Sequence, residues 1–243
     1  MAKSASPSED DLRLLAEYRR EHEELENQVL VALLELGLSA TSRQKSTLSI
    51  VDKLRRERTR LATMQDLVGA RLVLRPGEGL EDQDRVVGTI LSAVSGETKT
   101  VDRRSDPRYG YRAVHVILTM GHLNMEIQVR THLQHLWAEV MEKGADKLGR
   151  ELRYTEPAGL SSGIPRTFSE VMMSISDAIA SVEFLQIAIR KRELALDAIA
   201  AISDDEHEEV HVLRDEIRSD KQRILDHESN LRHLLQTLKD DVE

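Results

Sequence analysis

Three polar side chains alternate with apolar ones in the segment LNMEIQVR, residues 123–130. Period-2 spacing places Glu126, Gln128 and Arg130 on one face of a β-strand. A carboxylate in the middle of a strand requires a cation, and Arg130 could supply it in a structural ion pair. Alternatively, Glu126 and a second carboxylate hold Mg²⁺ together with substrate phosphates, because magnesium binds few protein oxygens and keeps water or phosphate in its other positions.

Asp66 is the candidate for the second carboxylate. It lies where a basic segment gives way to the apolar run DLVGARLVL at 66–74, which predicts a buried strand. Taken alone, a carboxylate there either caps a turn or binds a ligand. Strict alternation puts Asp66 and Arg71 on opposite faces, and a bulge at Gly69 could bring both to one site.

The segment SRQKSTLSIVDKLRRERTR, residues 42–60, is the most basic part of an acidic chain. On a helix it forms a polar stripe at positions i, i+4, i+7 and i+11, made of Ser49, Lys53, Arg56 and Arg60. The buried side carries Ile50, Val51, Leu54 and Leu61. Such a stripe suits a polyphosphate, and the alternative is a solvated basic face.

An arginine-rich loop with turn-forming residues, DRRSDPRYG at 102–110, precedes Tyr111. An aromatic ring beside arginines suits base stacking, and the alternative is a tyrosine that anchors a strand end. His132 and His135 have no third ligand nearby in sequence, which argues against zinc. The glycine patterns of P-loops and Rossmann turns are absent from the sequence, so those modes of phosphate binding are excluded.

A two-residue turn at Gly121-His122 would set the register of the hairpin that positions these groups. It pairs Met120 with Leu123, Ile117 with Glu126, and His115 with Gln128. The core face then consists of Val114, Val116, Leu118, Met125, Ile127 and Val129. The opposite face consists of Tyr111, Ala113, His115, Ile117, Glu126, Gln128 and Arg130, so His115 and Gln128 are predicted to bond within one pocket.

The remaining periodicity predicts an α+β fold with helices near 12–38, 46–61, 80–94 and 132–148, the last ending at Gly149, and another strand near 98–103. From about residue 160 a 3/4 apolar spacing continues to the end, interrupted by Arg192, Asp220 and His227, which indicates an antiparallel helical hairpin. We therefore expect a mobile tail over 1–9, a core domain over 10–159, and a C-terminal hairpin over 160–243 that serves packing or oligomerisation.

The amino-acid composition and net charge exclude some classes of protein. The 243 residues carry a net charge of -9, which excludes coating of nucleic acid by bulk charge and leaves room for a local basic site. The chain has no cysteine and shows neither a signal-peptide core nor a run of about 18 apolar residues. A cytoplasmic protein with no membrane partner is the expectation.

Four motifs in order give the chain a family resemblance. They are R-x-K-S-x-x-S-I-x-x-K-x-x-R at 43–56, DLVGAR at 66–71, GYRAVH at 110–115, and EIQVRT at 126–131 followed by HLWAE at 135–139. Over roughly residues 40–150 the chain resembles the synthetase domain of RelA/SpoT homologues. The resemblance implies a mixed sheet related to nucleotidyltransferases, and transfer of the β,γ-pyrophosphate of ATP to a nucleotide 3′-hydroxyl with release of AMP.

The same resemblance implies a role for each matching residue. Asp66 and Glu126 would be catalytic and would bind Mg²⁺, with Glu126 also helping to deprotonate the attacking hydroxyl. ATP would be held by Arg43, Lys45, Ser49, Lys53, Arg56 and Arg71. The acceptor would be held by Tyr111, His115, Gln128, Arg130, His135, Arg108 and Arg112.

The acceptor is left open by the loop VDRRSDPRYGY, which is shorter than the K-D-Y-I-x-x-P-K-x-N-G-Y type of segment common in the family. The favoured acceptor is GDP or GTP, giving the alarmone (p)ppGpp; the alternatives are the 3′-CCA end of tRNA, as in toxin members, and an inactive binding or neutralising protein. The absence of a His-Asp dipeptide and the chain length predict a small synthetase without the family's hydrolase or regulatory regions. A homo-oligomer and a protein antitoxin are the partners that the resemblance implies.

Overall fold

The structure is a computed structural model that describes residues 8–57, 61, 64, 67–202 and 208–242; the side chains at 48, 49, 52, 56, 57, 201, 202, 208 and 209 lie outside this description. Its contacts divide the chain into two compact units. The first unit comprises Met1–Leu72, Val86–Val101 and Val114–Val129, and the second comprises Val73–Arg85, Asp102–Ala113 and Arg130–Glu243. The predicted boundary near residue 160 stays a prediction.

The elements follow one another along the described chain as α1 (Glu9–Glu35), β1 (Ala40–Gln44), α2 (Thr47–Glu57), β2 (Val68–Val73), α3 (Leu80–Ala93), β3 (Glu97–Asp102), β4 (Val114–Met120) and β5 (Leu123–Arg130). They continue as α4 (His132–Leu148), 3₁₀ turns at Arg150–Arg153 and Pro157–Gly159, α5 (Ile164–Ile202) and α6 (Glu208–Asp241). The strands form a mixed five-stranded sheet in the order β1-β2-β5-β4-β3, which confirms the predicted α+β fold.

The β4–β5 hairpin has the register that its turn predicts. Met120 pairs with Leu123, Ile117 with Glu126, and His115 with Gln128. The six residues of the predicted core face are buried in one cluster with Leu25, Val29 and Leu33 of α1 and with Ile90 of α3. Period-2 alternation therefore leaves Glu126 and Gln128 on the opposite face of the sheet.

Strand β1 was not predicted, because ATSRQ is polar and lies at the edge of the sheet. A buried carboxylate of α1 holds it: Glu26 accepts hydrogen bonds from Ser42 Oγ at 2.8 Å and from Gln44 Nε2 at 2.9 Å. Ser42 and Gln44 thus point toward α1, and alternation turns Arg43 to the other face of the sheet. The residue that stabilises β1 is therefore a glutamate distant in sequence, and the sequence of the strand alone does not predict it.

The second unit is largely helical, and its C-terminal part is the predicted helical hairpin. Gln186 donates to Glu228 at 3.0 Å, and Arg192 bonds Asp220 at 3.0 Å, so residue numbers rise along α5 as they fall along α6. The two charged interruptions of the apolar seam, Arg192 and Asp220, therefore pair with each other. Helix α4 ends at Leu148 with Gly149 at a φ of 124°, as predicted.

Helix α5 is long and apolar enough to cross a membrane by length and composition, with an 18-residue window of mean hydropathy 1.4 among the described residues. The prediction that the chain lacks such a segment overlooked it, because it counted unbroken apolar runs only. Core helices of soluble proteins pass the same test. Here Met172, Ile175 and Ile179 are buried in a cluster shared with α4 and α6.

Candidate functional site

One face of the sheet in the first unit gathers several of the predicted site residues. Val68, Ala70 and Leu72 of β2 point into the core, so Arg71 lies on the opposite face. Cross-strand partners share a face, and the register Thr41 to Arg71 and Arg43 to Gly69 puts Arg43 there too. This face, which we call the polar face, consists of Arg43, Arg71, His115, Glu126 and Gln128.

Glu126 is the centre of a hydrogen-bonded triad on the polar face. His115 Nδ1 lies 2.6 Å from Glu126 Oε1, and Gln128 Nε2 donates to Glu126 Oε2 at 2.7 Å. The side chains of His115 and Glu126 are only 15% and 16% exposed. A carboxylate accepts hydrogen bonds, so His115 Nδ1 is the donor in this contact. The structure brings His115, Gln128 and Glu126 into contact, and their role in a binding pocket stays a prediction.

Gly69 does not form the predicted bulge in the β1–β2 ladder, because the pairing runs without interruption from Ala40 with Leu72 to Gln44 with Val68. Glycine is required at this position for a steric reason, because a Cβ there would lie 2.5 Å from the backbone oxygen of Glu126. Only a residue without a side chain allows β2 and β5 to approach at this point. The strand begins at Val68, and the predicted face of Asp66 lies outside the described residues.

Part of the predicted basic stripe lies on α2, whose Ile50 is fully buried beside Leu54 and Leu61. This agrees with the predicted buried side of that helix. Lys45 follows β1, with its backbone N–H bonded to the oxygen of Leu67 at 3.1 Å, and Lys53 is half-buried on α2. The predictions for Asp66, Arg60 and the side chains of Ser49 and Arg56 fall outside the described residues.

The second unit contains the predicted stacking residue, Tyr111, which is bound to Arg130. Arg130 Nη2 donates to the Tyr111 hydroxyl at 3.0 Å, and its guanidinium carbon lies 5.1 Å from the ring centroid. Arg130 is only 2% exposed, so this cation–π contact forms away from solvent. The arrangement holds the tyrosine ring in one orientation.

A tight turn presents Tyr111. Tyr109 and Gly110 have φ values of 53° and 80°, and the N–H of Tyr111 donates to the oxygen of Arg108 at 2.9 Å. Two successive positive φ angles define a primed turn, which glycine adopts readily and tyrosine does not. A Cβ on Gly110 would lie 2.8 Å from the Trp137 ring, so this position requires glycine.

The other residues of the predicted acceptor set occupy different places in the second unit. Arg108 is exposed at the turn, and His135 Nε2 lies 3.6 Å from Glu139 Oε2 on α4. Arg112 is largely buried, and it donates to Ser176 Oγ and Asp177 Oδ1, each at 3.0 Å. Their roles toward an acceptor stay predictions.

Two buried polar residues of α5 were missed by the sequence reasoning. Ser176 and Glu183 are 1% and 3% exposed. Burial raises the pKa of Glu183, against the opposing effect of hydrogen bonds from Thr131 and Gln134. One feature of the sequence could have indicated them: a serine and a glutamate lie seven residues apart on a helix face that otherwise carries Met172, Ile179 and Val182.

Comparison with known proteins shows what part of this chain is similar to. Residues 42–147 match the model of the region found in RelA / SpoT proteins. An uncharacterized protein of Mycobacterium tuberculosis is 38% identical over 149 residues, which are 60% of this chain and 54% of that protein. A probable chloroplastic GTP diphosphokinase of Arabidopsis thaliana is 32% identical over 113 residues, 44% of this chain and 16% of that enzyme.

Among solved structures, small alarmone synthetase 1 from Bacillus subtilis, bound to its product pppGpp, has a TM-score of 0.56 at 23% identity. The match covers 76% of this chain and 98% of that one, and at this identity it is a likeness of fold. Residues 42–147 are thus similar to the region found in RelA / SpoT proteins. It spans about half the length, 54%, of the mycobacterial relatives that it matches.

Proposed function

We propose that the chain transfers the β,γ-pyrophosphate of ATP to the 3′-hydroxyl of GDP or GTP, producing (p)ppGpp and AMP. The observation that carries the proposal is the Glu126 triad on the polar face, inside the family region, with Arg43 and Arg71 on the same face. A carboxylate beside cations is the combination that phosphoryl-type transfer requires, because cations offset developing phosphate charge while the carboxylate takes a proton.

In this mechanism the acceptor 3′-oxygen attacks the β-phosphorus of ATP, and the bond from that phosphorus to the oxygen bridging to the α-phosphate breaks. Glu126 receives the hydroxyl proton, and AMP leaves with the bridging oxygen. The 2.6 Å contact from His115 and the 2.7 Å contact from Gln128 fix the carboxylate orientation. General-base catalysis and in-line positioning of this kind contribute to the rate separately.

Arg43 and Arg71, with Lys45 and Lys53, are the described residues proposed to hold ATP, and Ser49 and Arg56 complete the proposed set. Arginine suits this task because its planar guanidinium forms bidentate bonds to phosphate oxygens and stacks on aromatic bases. Tyr111 is proposed to stack on the acceptor base, a contact that tolerates different bases because each has a π-face. His115, Gln128, Arg130, His135, Arg108 and Arg112 belong to the proposed acceptor set.

Mg²⁺ is the proposed cofactor, with Glu126 and Asp66 as its protein ligands. Glu126 provides a carboxylate, the kind of oxygen ligand that Mg²⁺ prefers, on the polar face that also carries Arg43 and Arg71, so its chemistry fits a magnesium ligand. The described residues do not by themselves form a cluster of three metal-binding side chains, and Asp66 is outside them. When bound, the ion would offset charge on the transferred phosphates.

A tRNA acceptor would be attracted electrostatically by the arginines of the loop before Tyr111. Much of that charge is paired: Arg104 contacts Asp102 at 2.6 Å and Asp84 at 2.7 Å, and Arg103 lies 3.7 Å from Asp106. Asp177 pairs with Arg112 in the same way. Paired arginines attract a polyanion less strongly, which favours a small nucleotide over tRNA.

A transfer assay tests the proposal. The protein is incubated with γ-labelled ATP, Mg²⁺ and one of three acceptors: GDP, GTP or deacylated tRNA. Label in GDP or GTP is the expected result. Label in tRNA alone would replace the proposed acceptor by the tRNA end, and no transfer to any acceptor would leave the inactive binding protein as the remaining interpretation.

A further inference from the structure

A single hydroxyl on α5 bonds both chain neighbours of Tyr111, the backbone of Gly110 and the side chain of Arg112. Ser176 Oγ donates to the oxygen of Gly110 at 2.6 Å and accepts from Arg112 Nε at 3.0 Å. Ser176 is 1% exposed, so neither bond competes with bulk water. Gly110 and Arg112 are the neighbours of Tyr111 in the chain, and the serine therefore limits rotation of the residue between them.

The turn before Tyr111 needs such external restraint. Tyr109 has a φ of 53°, a conformation that is unfavourable for a residue with a side chain and persists only where the surroundings enforce it. Arg112 adds a bond to Asp177 at 3.0 Å and another to the backbone oxygen of Arg104. Met173, also on α5, lies against Gly110.

A second buried group on the same helix secures the residue that follows Arg130. Glu183 lies seven residues after Ser176, which is two helical turns along the same face. It accepts from Thr131 Oγ at 2.5 Å and from Gln134 Nε2 at 3.1 Å. Thr131 is also the N-cap of α4, and it directly follows Arg130, the residue that bonds the Tyr111 hydroxyl.

We propose that Ser176 and Glu183 are positioning residues: α5 uses them to hold the Tyr111–Arg130 pair in the geometry that binds the acceptor. Neither residue touches reacting atoms, and both lie beyond residues 42–147, the region that matches the family model. This inference rests on the proposed function, because that function identifies the molecule bound beside Tyr111 as the acceptor. The restraint itself can be measured in the protein alone.

The first experiment uses no substrate. Amide hydrogen exchange of residues 108–113 is compared between Ser176→Ala and Ser174→Ala, since Ser174 is an exposed serine on the same helix that bonds only the oxygen of Glu170 in the described contacts. Loss of the Ser176 bonds should speed exchange by about tenfold or more, as expected for a segment released from its anchor. Equal exchange in the two variants would overturn the proposal.

Asp177→Ala provides a second variant in case Ser176→Ala does not fold, because Asp177 is 73% exposed and its truncation removes the acceptor of the Arg112 bond without leaving a cavity. It should speed exchange of the same amides to a smaller extent. A folded Asp177→Ala protein with wild-type exchange would also contradict the inferred restraint.

The second experiment separates positioning from general stability. Ser176→Ala and Glu183→Ala should raise the KM for GDP or GTP several-fold while the KM for ATP stays unchanged, and Glu183→Gln should restore the acceptor KM because its amide oxygen can still accept from Thr131 and Gln134. Equal changes in both KM values, or no change, would sink the positioning role. A wild-type protein that transfers nothing would contradict the proposed function, and the exchange comparison would still decide whether Ser176 holds the segment.

Discussion

The Nδ1 nitrogen of His115 lies 2.6 Å from the carboxylate Oε1 of Glu126, although the two residues are not direct partners in the β4–β5 ladder. His115 faces Gln128 and Glu126 faces Ile117, so the contact is diagonal. The residue directly opposite the histidine, Gln128, bonds the other carboxylate oxygen. Glu126 is thereby held from both oxygens in a partly buried position.

Glu126→Gln should abolish pyrophosphate transfer and leave the fold intact. Glutamine has the same shape but accepts no proton, so the general base is lost; such groups typically contribute about 10²–10⁴-fold in rate. The measurements are labelled transfer and thermal unfolding. Glu21→Gln is the matched control, because Glu21 also bonds a histidine, His122, at 2.8 Å but is exposed. Activity retained by Glu126→Gln would remove Glu126 from the catalytic role.

His115→Ala should lower kcat and have little effect on the KM for ATP, because the imidazole orients the carboxylate. We expect a loss of about tenfold or more, with His122→Ala at the exposed pair unchanged. In the Glu126→Gln background the His115 change should add no further loss, since residues that act as one unit are not additive. A full additional loss in the double variant would show that His115 acts independently.

Gly69→Ala should impair the site through the backbone. The new Cβ would lie 2.5 Å from the Glu126 oxygen, so β2 or β5 must shift, at a cost of about 1–3 kcal/mol in the free energy of unfolding. Gly88→Ala is the matched control: it is an exposed glycine of α3 with open space around its Cβ, and it should stabilise by about 0.5–1 kcal/mol. Unfolding curves and kcat would be measured for both. Equal effects of the two changes would contradict the close approach at Gly69.

Tyr111→Ala should raise the KM for the acceptor nucleotide by about 5- to 150-fold, which corresponds to the loss of one base-stacking contact of about 1–3 kcal/mol. Tyr111→Phe keeps the ring and loses only the bond from Arg130, so its effect should be smaller. The KM for ATP is the internal control. If Phe and Ala raise the acceptor KM equally, the hydroxyl and not stacking provides the interaction.

Glu183→Gln should change how stability depends on pH. Burial raises the pKa of Glu183 in the folded protein above its ordinary value, so the folded state binds the proton more tightly than the unfolded state. Its contribution to stability is complete below the unfolded pKa and is lost as pH rises through the folded pKa. Relative to the wild type, the glutamine variant should therefore become more stable as pH increases from about 4.5, the ordinary glutamate value.

Thermal unfolding between pH 4.5 and 8 measures this difference. Glu170→Gln is the control, because Glu170 is an exposed carboxylate on the same helix and should give a curve parallel to the wild type. Parallel curves for Glu183→Gln and the wild type would mean that Glu183 titrates normally in the folded protein.

The β4–β5 hairpin was predictable from sequence because its register depends only on residues that are close together in the chain. A two-residue turn and a side-chain period of two determine which residues face each other, so the polar face with His115, Glu126 and Gln128 followed without any tertiary information. The helices followed in the same way from apolar spacing, as did the end of α4 at Gly149.

Strand β1, the close approach at Gly69 and the contacts of α5 were not predictable in this way. Glu26 meets Ser42 and Gln44 across 16 and 18 residues, and Ser176 meets Gly110 across 66. The sequence suggested Gly69 as the place for a possible bulge, whereas the structure shows an uninterrupted ladder and a neighbouring strand close to this glycine. Contacts between distant segments leave no periodic pattern in the sequence. The apolar spacing around each residue is the same whichever distant residue it contacts.

By itself the sequence determined the motifs of the family resemblance, the order of the elements other than β1, the hairpin register and the identity of the polar groups on one sheet face, since these depend on residue type and short-range spacing. Only the tertiary structure decided that Glu126 is held by His115 and Gln128, that Arg130 binds Tyr111, and that Ser176 and Glu183 reach the segments around that pair. The reason is physical: hydrogen bonds between distant segments depend on how buried faces pack, and packing is a property of the whole chain.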